Sequence, residues 1–399
     1  MKKICIISPG LLPVPAIEGG AVESLINHLI DENERFHKVD FIVVSVSTKE
    51  AEKISQKYQY TEFVYIKPYH KIWGILDLLR RVIRKIIKCD ITSLNRYYAN
   101  VEKKLRDKKA DYYVMEGGIA TCLYKFTKKI GIEKCYFHLH AHAKYVEGID
   151  KIFGRFIFVS EFCKKEFDPK SELRAYVVKN GIKLDNFNKK LSQNNYKKIR
   201  ESYGFKETDK VALYCGRLVP EKGVMELISA VIQTEYKLLI VGSGNFKRSK
   251  QTRYIKEIQR MSKNYKDKIQ FTGYIDNNKL YQIYQISQVV VLPSLCEDAA
   301  PLVAVEAQAS GRPVIAFQSG GIPEYVSKES ALILDKPFVH QKEFKKLQGN
   351  NELINEIKEA LVGLANNSLL RTSMGRNGRE IAENFTTEKF YFSYISLFE

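Results

Sequence analysis

Three carboxylates in one short segment are the most specific chemical feature of the sequence. Glu297 and Asp298 follow an apolar run, and Glu306 lies in a stretch of alanines and valines that Pro301 and Gly311 would bound as a helix. A carboxylate on such an apolar helix is costly to bury without hydrogen-bond donors. A ribose offers two hydroxyls as donors, so Glu306 is suited to bind the ribose of a ligand. A structural glutamate that accepts backbone hydrogen bonds is the alternative.

Two cations earlier in the chain could neutralise a diphosphate. Arg217 and Lys222 follow the apolar run 211–214 and a glycine, Gly216. In α/β sheets the carboxyl ends of the strands bind ligands, and cations beside a helix start suit phosphate groups. Alone this run is a weak signal, because a solvated charged turn has the same composition.

Three alternating histidines raise the question of a metal site. His138, His140 and His142 end a strand-like run and would share one face if the strand continued. The sequence places no acidic or cysteine ligand next to them, and three histidines at this spacing seldom converge on one ion. We therefore expect no metal here.

The elements that position these residues form two series of strands and helices. The first has strands at 4–8, 39–46, 111–115 and 156–160, followed by a short run at 176–178, and the second has five apolar strands, at 211–214, 237–241, 269–272, 289–292 and 313–317. Strands that alternate with helices indicate parallel sheets covered on both faces. The sequence predicts an α/β protein with two Rossmann-like doubly wound domains facing across a cleft.

The domain boundaries are predicted from composition. A polar, lysine- and asparagine-rich stretch at 183–208 separates the two series. We predict an N-terminal domain over 1–188, to which a C-terminal helix at 380–399 returns, and a C-terminal domain over 205–379.

Charge and cysteine usage narrow the class of protein. The 399 residues carry 64 Lys+Arg against 46 Asp+Glu, a net charge of +18, which favours nucleic acid, an anionic membrane surface or phosphorylated substrates as partners. Seven scattered cysteines without a C-x-x-C pair predict neither disulfides nor a cysteine zinc site, and they favour the cytosol. No uncharged apolar stretch approaches 18 residues, so no membrane span is predicted.

A basic amphipathic segment concentrates the charge. Within 71–88 the apolar residues fall on one helical stripe and five cations lie off it, and 71–109 holds 12 Lys+Arg against 4 Asp+Glu, a surplus of +8. The segment is either a surface helix packed on the sheet or a helix lying in an anionic membrane interface.

Several motifs in order resemble glycosyltransferase family 4. They are the run 216–223, the acidic loop with its helix, and the segments 177–182, 320–324 and 374–379, preceded by Gly19 and Gly20. The resemblance covers nearly the whole chain. It implies the GT-B fold, retention of anomeric configuration, a nucleotide-diphosphate sugar (UDP- or GDP-linked) as co-substrate, and no metal or other cofactor.

The resemblance also implies roles for individual residues. Arg217 and Lys222 would neutralise the donor diphosphate, and Glu306 would hold the ribose. Asp298, eight residues before Glu306, stands where the family usually has a glutamate that contacts the transferred sugar. Because Glu297 is one residue out of register, either acid could reach that sugar.

Further donor contacts are implied by position. Gly19 and Gly20 would let a loop of the first domain approach the donor phosphates, and Gly242 with Gly244 would line the nucleotide pocket, unless these are simple turn glycines. His140 would lie beside the reacting sugar. The donor loop comprises Glu297, Asp298, Ala299, Ala300, Pro301 and Leu302.

The predicted function is therefore hexosyl transfer to a lipid-linked or glycan acceptor in bacterial surface polysaccharide synthesis, at the cytoplasmic face of the membrane and with 71–88 on its anionic surface. The predicted catalytic residues are His140, Arg217, Lys222 and Asp298. A sugar-nucleotide epimerase or phosphorylase could share the fold, and a non-catalytic partner subunit is a further alternative because of Asp298. A basic nucleic-acid-binding protein would explain the charge but would leave the acidic loop without a purpose, so no nucleic acid is expected.

Overall fold

The computed structural model describes residues 1–67, 96–168, 170–242, 252–336 and 349–399. The chain divides into two compact units, Met1–Gly181 with Thr387–Glu399 (unit 1) and Ile182–Thr386 (unit 2). The basic segment 71–88 and Gly244 lie outside the described residues. None of the described helices is long and apolar enough to cross a membrane.

Unit 1 is built on a parallel sheet with the strand order β3-β2-β1-β4-β5-β6-β7. The strands are β1 (Lys3–Ile7), β2 (Asp40–Val46), β3 (Thr61–Ile66), β4 (Tyr112–Glu116), β5 (Cys135–Leu139), β6 (Arg155–Phe158) and β7 (Ala175–Val177). The helices before the chain enters unit 2 are α1 (Ala21–Phe36), α2 (Lys49–Ser55), α3 (Arg96–Leu105), α4 (Tyr124–Ile130) and α5 (Glu161–Phe167). The order reverses between β1 and β4, and such a switch point is where doubly wound sheets bind ligands.

Unit 2 repeats the architecture, with the strand order β10-β9-β8-β11-β12-β13 and parallel pairing throughout. Its strands are β8 (Val211–Cys215), β9 (Lys237–Val241), β10 (Ile269–Gly273), β11 (Val289–Leu292), β12 (Val314–Phe317) and β13 (Ala331–Leu334). Its helices are α6 (Leu184–Phe187), α7 (Gln193–Ser202), α8 (Val224–Ile232), α9 (Arg253–Ser262), α10 (Asn277–Gln285), α11 (Leu302–Ala309), α12 (Asn351–Asn366) and α13 (Ser368–Ala382). The switch point lies between β8 and β11.

The strands β8, β11 and β12 of unit 2 are apolar at every position because both faces of the sheet are buried there. Val211 and Leu213 of β8 pack in the core on one face, whereas Ala212 and Tyr214 pack on the other. Successive side chains of a strand point to opposite faces, so an unbroken apolar run is typical of a sheet covered by helices on both sides.

The C-terminal segment completes unit 1. Helix α14 (Thr387–Ile395) follows unit 2 and contributes buried aromatic side chains, including Tyr391 and Tyr394, to the unit that begins the chain. The boundaries fall at Gly181 and Thr386, and the polar stretch 183–208 lies in unit 2, where Leu184 and Phe187 are buried.

The α/β class with two Rossmann-like sheets is confirmed. The sheet of unit 2 holds one strand more than the five predicted, β13, and unit 1 contains β3 in addition to the runs named from the sequence. Both additional strands lie at the edges of their sheets, where burial is less complete.

Candidate functional site

The loops that follow β8 and β11 meet at the switch point of unit 2. Gly223 has a φ of +66°, and a Cβ there would lie 1.9 Å from the carbonyl oxygen of Pro293. The backbone N–H of Leu295 donates to the carbonyl of Glu221 over 2.9 Å. Glycine is therefore required at 223, because any side chain would push the two loops apart.

The contact between these loops brings Lys222 against Asp298. The Lys222 ammonium group forms an ion pair with Oδ1 of Asp298, and the Ser294 hydroxyl donates to Oδ2 over 2.5 Å. Gly320, in the loop after β12, lies against the same residue, since a Cβ there would be 2.3 Å from the Asp298 carbonyl oxygen. Lys222 and Asp298, which were predicted from two different motifs of the sequence, therefore contact each other.

Glu297 faces a different lysine. Its carboxylate accepts a hydrogen bond from Nζ of Lys336 over 2.6 Å, and the Ser319 hydroxyl lies 3.3 Å from the other oxygen. The neighbouring acids 297 and 298 therefore have separate cationic partners. Ser294, Ser319 and Lys336 did not follow from the sequence, because their contacts depend on the order of strands in the sheet.

Glu306 lies one turn into α11 and is held by a tyrosine. The hydroxyl of Tyr284, on α10, donates to Oε2 of Glu306 over 2.6 Å. Among the described residues no backbone N–H donates to this carboxylate, unlike the structural alternative considered above. Burial raises the pKa of Glu306 to about 7, against the opposing effect of the Tyr284 hydrogen bond. A half-buried carboxylate with one protein donor is suited to accept hydrogen bonds from a ligand.

Arg217 and Gly242 complete the same edge of the sheet. Arg217 is exposed, two residues after the end of β8, with no ion pair to any described residue. Gly242 follows β9, and a Cβ there would lie 1.9 Å from the carbonyl oxygen of Gly216, so the backbones approach closely. In the rest of the donor loop, Ala299, Ala300 and Pro301 precede α11, which begins at Leu302.

In unit 1 a buried carboxylate joins two of the three histidines. Oε2 of Glu116 lies 2.6 Å from Nε2 of His140 and 2.8 Å from Nδ1 of His138, and Oε1 accepts a hydrogen bond from the Tyr394 hydroxyl over 2.9 Å. The strand ends at Leu139, so the histidines do not continue one strand face. His142 lies apart, with Nε2 3.5 Å from a carboxylate oxygen of Glu166.

The expectation that no acid lies near the histidines is wrong. Glu116 ends β4 and pairs in register with His138 of β5, which places the two side by side although 22 residues separate them in the chain. Burial raises the pKa of the Glu116 carboxyl, but His138 and His140 outweigh it and hold the pKa below its usual range. Burial and the nearby His138 lower the pKa of His140, against the opposing effect of Glu116.

Glu116, His138 and His140 are residue types that could bind a metal ion together. One ligand atom from each of Glu116, His138 and His140 lies within 4.8 Å of the others, and two histidines with a carboxylate are ligands that Zn²⁺ accepts. The short distances already pair the carboxylate with both rings, which fits a hydrogen-bonded cluster equally well. The absence of a metal requirement therefore stays a prediction.

The glycine pair of the first loop lies beside a buried acid. Gly19 and Gly20 have φ values of +83° and +96°, and a Cβ on Gly20 would lie 2.2 Å from a carboxylate oxygen of Glu23. Burial raises the pKa of Glu23. These glycines are required by the backbone of the loop that leads into α1, and their role toward a donor stays a prediction.

The family model described as Glycosyl transferases group 1 matches residues 195–380, which is most of unit 2. The lipopolysaccharide 1,2-N-acetylglucosaminetransferase of Salmonella typhimurium is 25% identical over 260 residues, 63% of this chain and 66% of that protein. The uncharacterized glycosyltransferase MJ1178 of Methanocaldococcus jannaschii is 28% identical over 246 residues, 61% of this chain and 59% of that protein. The chain thus spans less than two thirds of the length of these curated relatives.

A solved structure resembles the whole chain. The crystal structure of Anabaena Alr3699/HepE in complex with UDP and glucose has a TM-score of 0.73 and 15% identity, and the match covers 100% of this chain and 99% of that one. At this identity the similarity shows the fold, which is that of the GT-B class.

Proposed function

We propose that this chain, whose residues 195–380 match the model of the group 1 glycosyltransferases, transfers a hexose-type sugar from a UDP- or GDP-linked donor with retention of configuration. The donor would bind at the switch point of unit 2. Within the group 1 family, assignment to family 4 rests on the motifs of the sequence.

The observation that carries the proposal is the cationic edge around Lys222. Lys222 is ion-paired with Asp298, and Arg217 is exposed in the same loop. A leaving diphosphate gains negative charge as the bond to the sugar breaks, so fixed cations beside it stabilise the transition state more than the ground state. Glu306, with one protein donor and a raised pKa, is the proposed acceptor for the ribose hydroxyls.

The reaction needs charge neutralisation and positioning. The bond from the anomeric carbon to the diphosphate oxygen breaks, the acceptor hydroxyl forms the new bond on the same face, and its proton leaves with the diphosphate. An oxocarbenium-like transition state of this kind requires no covalent intermediate on the protein. We propose that Arg217 and Lys222 supply the charge, that His140 assists transfer, and that no metal is needed.

The acceptor is proposed to be lipid-linked or a glycan in bacterial surface polysaccharide synthesis. The basic segment 71–88 supports a peripheral position at the cytoplasmic face of the membrane, where anionic lipid would attract its cations.

Transfer by matched lysine variants tests the proposal. Lys222→Ala should lower turnover at least 100-fold with each accepted nucleotide sugar. Lys237→Ala is the matched control, since Lys237 forms an ion pair with Asp209 at the opposite edge of the same sheet, with side-chain exposures of 20% and 17% against 18% and 18% for Lys222 and Asp298. It should leave turnover within about threefold of wild type.

Turnover in Lys222→Ala equal to that of the control would contradict the proposal, and donor binding without turnover in the wild type would favour a non-catalytic partner subunit.

A further inference from the structure

A second cationic site lies at the opposite edge of unit 2. A cavity of about 480 Å³ opens where the chain enters β11 and β12, and four arginines line it: Arg312, Arg371, Arg376 and Arg379. Its lining includes Gln288 and Pro313, the residues directly before those strands. The proposed donor site follows the carboxyl ends of the strands, so a strand of four residues, roughly 13 Å, separates the two edges.

The geometry of α13 explains why the arginines converge. Arg371, Gly375 and Arg379 are spaced four apart and share one face of the helix. Gly375 lies against the end of α11, and a Cβ there would be 2.3 Å from the carbonyl oxygen of Gly311. Because glycine permits this approach, the helix brings its arginines over the segment that contains Arg312.

The four charges have no anionic partner among the residues that the structure describes. Arg371 donates to the carbonyls of Leu364 and Ala365, and Arg312 donates to the carbonyl of Gln285 over 3.1 Å. These are neutral acceptors, and Arg376 and Arg379 are exposed. Four cations line one cavity without a described carboxylate in ion-pair contact, which is an unfavourable arrangement unless an anion joins them.

Arg312 shows most directly that a partner is missing. Its Nε is buried and has no hydrogen-bond partner in the described chain. Burial, opposed by Tyr196 and assisted by the charge of Arg379, lowers the pKa of Arg312 to about 10. A buried guanidinium nitrogen without an acceptor is costly, and an anion in the cavity would supply one.

We propose that this cavity binds a compact phosphate-bearing anion. Guanidinium groups match phosphate oxygens in planar, bidentate pairs, and several arginines favour a doubly or triply charged group over a single carboxylate. The volume is in the range of small-molecule sites. The ligand is a free phosphorylated molecule or the phosphorylated headgroup of a lipid. The site does not depend on the donor site proposed above.

Calorimetric titration with inorganic pyrophosphate tests the site. Arg217→Ala/Lys222→Ala serves as the background, so that the proposed donor site does not contribute. On this background Arg376→Gln/Arg379→Gln should weaken pyrophosphate binding at least tenfold at 150 mM salt. The control Arg253→Gln/Arg260→Gln removes the same charge from α9 of the same unit and should change the affinity less than twofold.

The thermal unfolding midpoint without ligand shows whether each variant folds, and Arg376→Gln alone, at an exposed side chain, replaces the double variant if that one is unstable. Absence of pyrophosphate binding in the background protein, or equal loss in the pocket and control variants, would overturn the proposal. Co-sedimentation with phosphatidylglycerol and phosphatidylcholine vesicles identifies the source, with Arg80, Arg81, Arg84 and Lys85 also changed to glutamine in every protein so that segment 71–88 does not contribute. Loss of phosphatidylglycerol binding in the pocket variant alone assigns a lipid headgroup, and unchanged vesicle binding together with lost pyrophosphate binding assigns a free phosphorylated molecule.

Discussion

At the scale of residues, the two adjacent acids of the donor loop differ in what they contact. Asp298 pairs with Lys222, the residue proposed to meet the diphosphate, whereas Glu297 pairs with Lys336. Sequence alone left either acid able to reach the transferred sugar. The contact with Lys222 connects Asp298, rather than Glu297, to the proposed leaving group.

Asp298→Asn should therefore impair transfer more than Glu297→Gln. The first change removes the anion that positions the Lys222 ammonium group and should lower turnover at least 100-fold, equivalent to about 2.7 kcal/mol of transition-state stabilisation. The second should lower turnover less than tenfold. Steady-state transfer rates with a saturating nucleotide sugar measure both, and the reverse order would show that Glu297 is the acid that matters.

Glu306 should make stability depend on pH in the ligand-free protein. Its pKa of about 7 in the folded protein exceeds that of an ordinary glutamate, 4.5. The raised pKa therefore contributes stability to the folded protein that is fully present below pH 4.5 and is lost as the pH rises through 7. At 1.36 kcal/mol per pH unit the loss is at most about 3 kcal/mol.

Chemical denaturation between pH 4.5 and 8.5 measures this dependence. Glu306→Gln cannot ionise, so its unfolding free energy should fall less over this range than that of the wild type. Glu329→Gln, at a surface acid, serves as the control. Gln308→Glu is not a suitable comparison, because Gln308 is fully buried. Parallel curves for wild type and Glu306→Gln would contradict the raised pKa.

The principal residues of the candidate site could be predicted from the sequence, but the residues that contact them could not. Lys222, Asp298 and Glu306 were identified from spacing and from the helix that holds one of them. Tyr284 and Lys336 were not, because each is held by a contact that depends on which strands are neighbours. Glu116 ends a recognised strand, yet its position beside His138 follows from the pairing of β4 with β5, which spacing does not specify.

At the scale of elements, the end of β5 determines what the histidines do. Alternation predicts one shared face for all three, but the strand stops at Leu139, and the chain then turns so that His140 reaches Glu116 while His142 does not. Helix α14 covers this cluster through Tyr394. The C-terminal helix thus stabilises the buried carboxylate of unit 1.

Tyr394→Phe should destabilise unit 1 by about 2 kcal/mol. The change removes a hydrogen bond to a buried, charged carboxylate and leaves that oxygen without this donor, which costs more than losing an exposed contact. Tyr124→Phe, at an exposed tyrosine of the same unit, should change the unfolding free energy by less than 0.5 kcal/mol by the usual range for surface changes. Urea denaturation measures both, and equal stabilities would mean that α14 does not stabilise Glu116.

At the scale of the whole molecule, the fold class could be predicted from the sequence more completely than the edge strands and the boundary between the units. Unbroken apolar runs identify central strands such as β8 and β11, which are buried on both faces. The strand β13 is only partly buried and was not among those predicted. The boundary at Gly181 is also not visible in composition, since Leu184 and Phe187 pack into unit 2 from a stretch that reads as polar.

The excess of positive charge has two separate concentrations. Residues 71–109 supply +8 of the +18, and four arginines line the cavity at the amino edge of unit 2. Neutralising Arg80, Arg81, Arg84 and Lys85 with glutamine should reduce co-sedimentation with phosphatidylglycerol vesicles at least tenfold, because each cation near an anionic surface contributes about 1 kcal/mol.

The control neutralises Lys128, Lys129, Lys197 and Lys198, four exposed lysines outside that segment. It should retain more than half of the vesicle binding. If binding is insensitive to lipid charge, or if both sets of changes reduce it equally, then 71–88 is not a membrane-binding segment.

The central claim is that unit 2 binds a nucleotide-diphosphate sugar at the edge formed by Arg217, Lys222 and Glu306. Calorimetric titration of the wild type with UDP, GDP and their sugar conjugates tests it most directly. We predict that one nucleotide series binds and that Arg217→Ala/Lys222→Ala weakens this binding at least 100-fold, while Lys237→Ala leaves it unchanged. The absence of binding by any member of either series, or equal affinity in the double variant, would contradict the account.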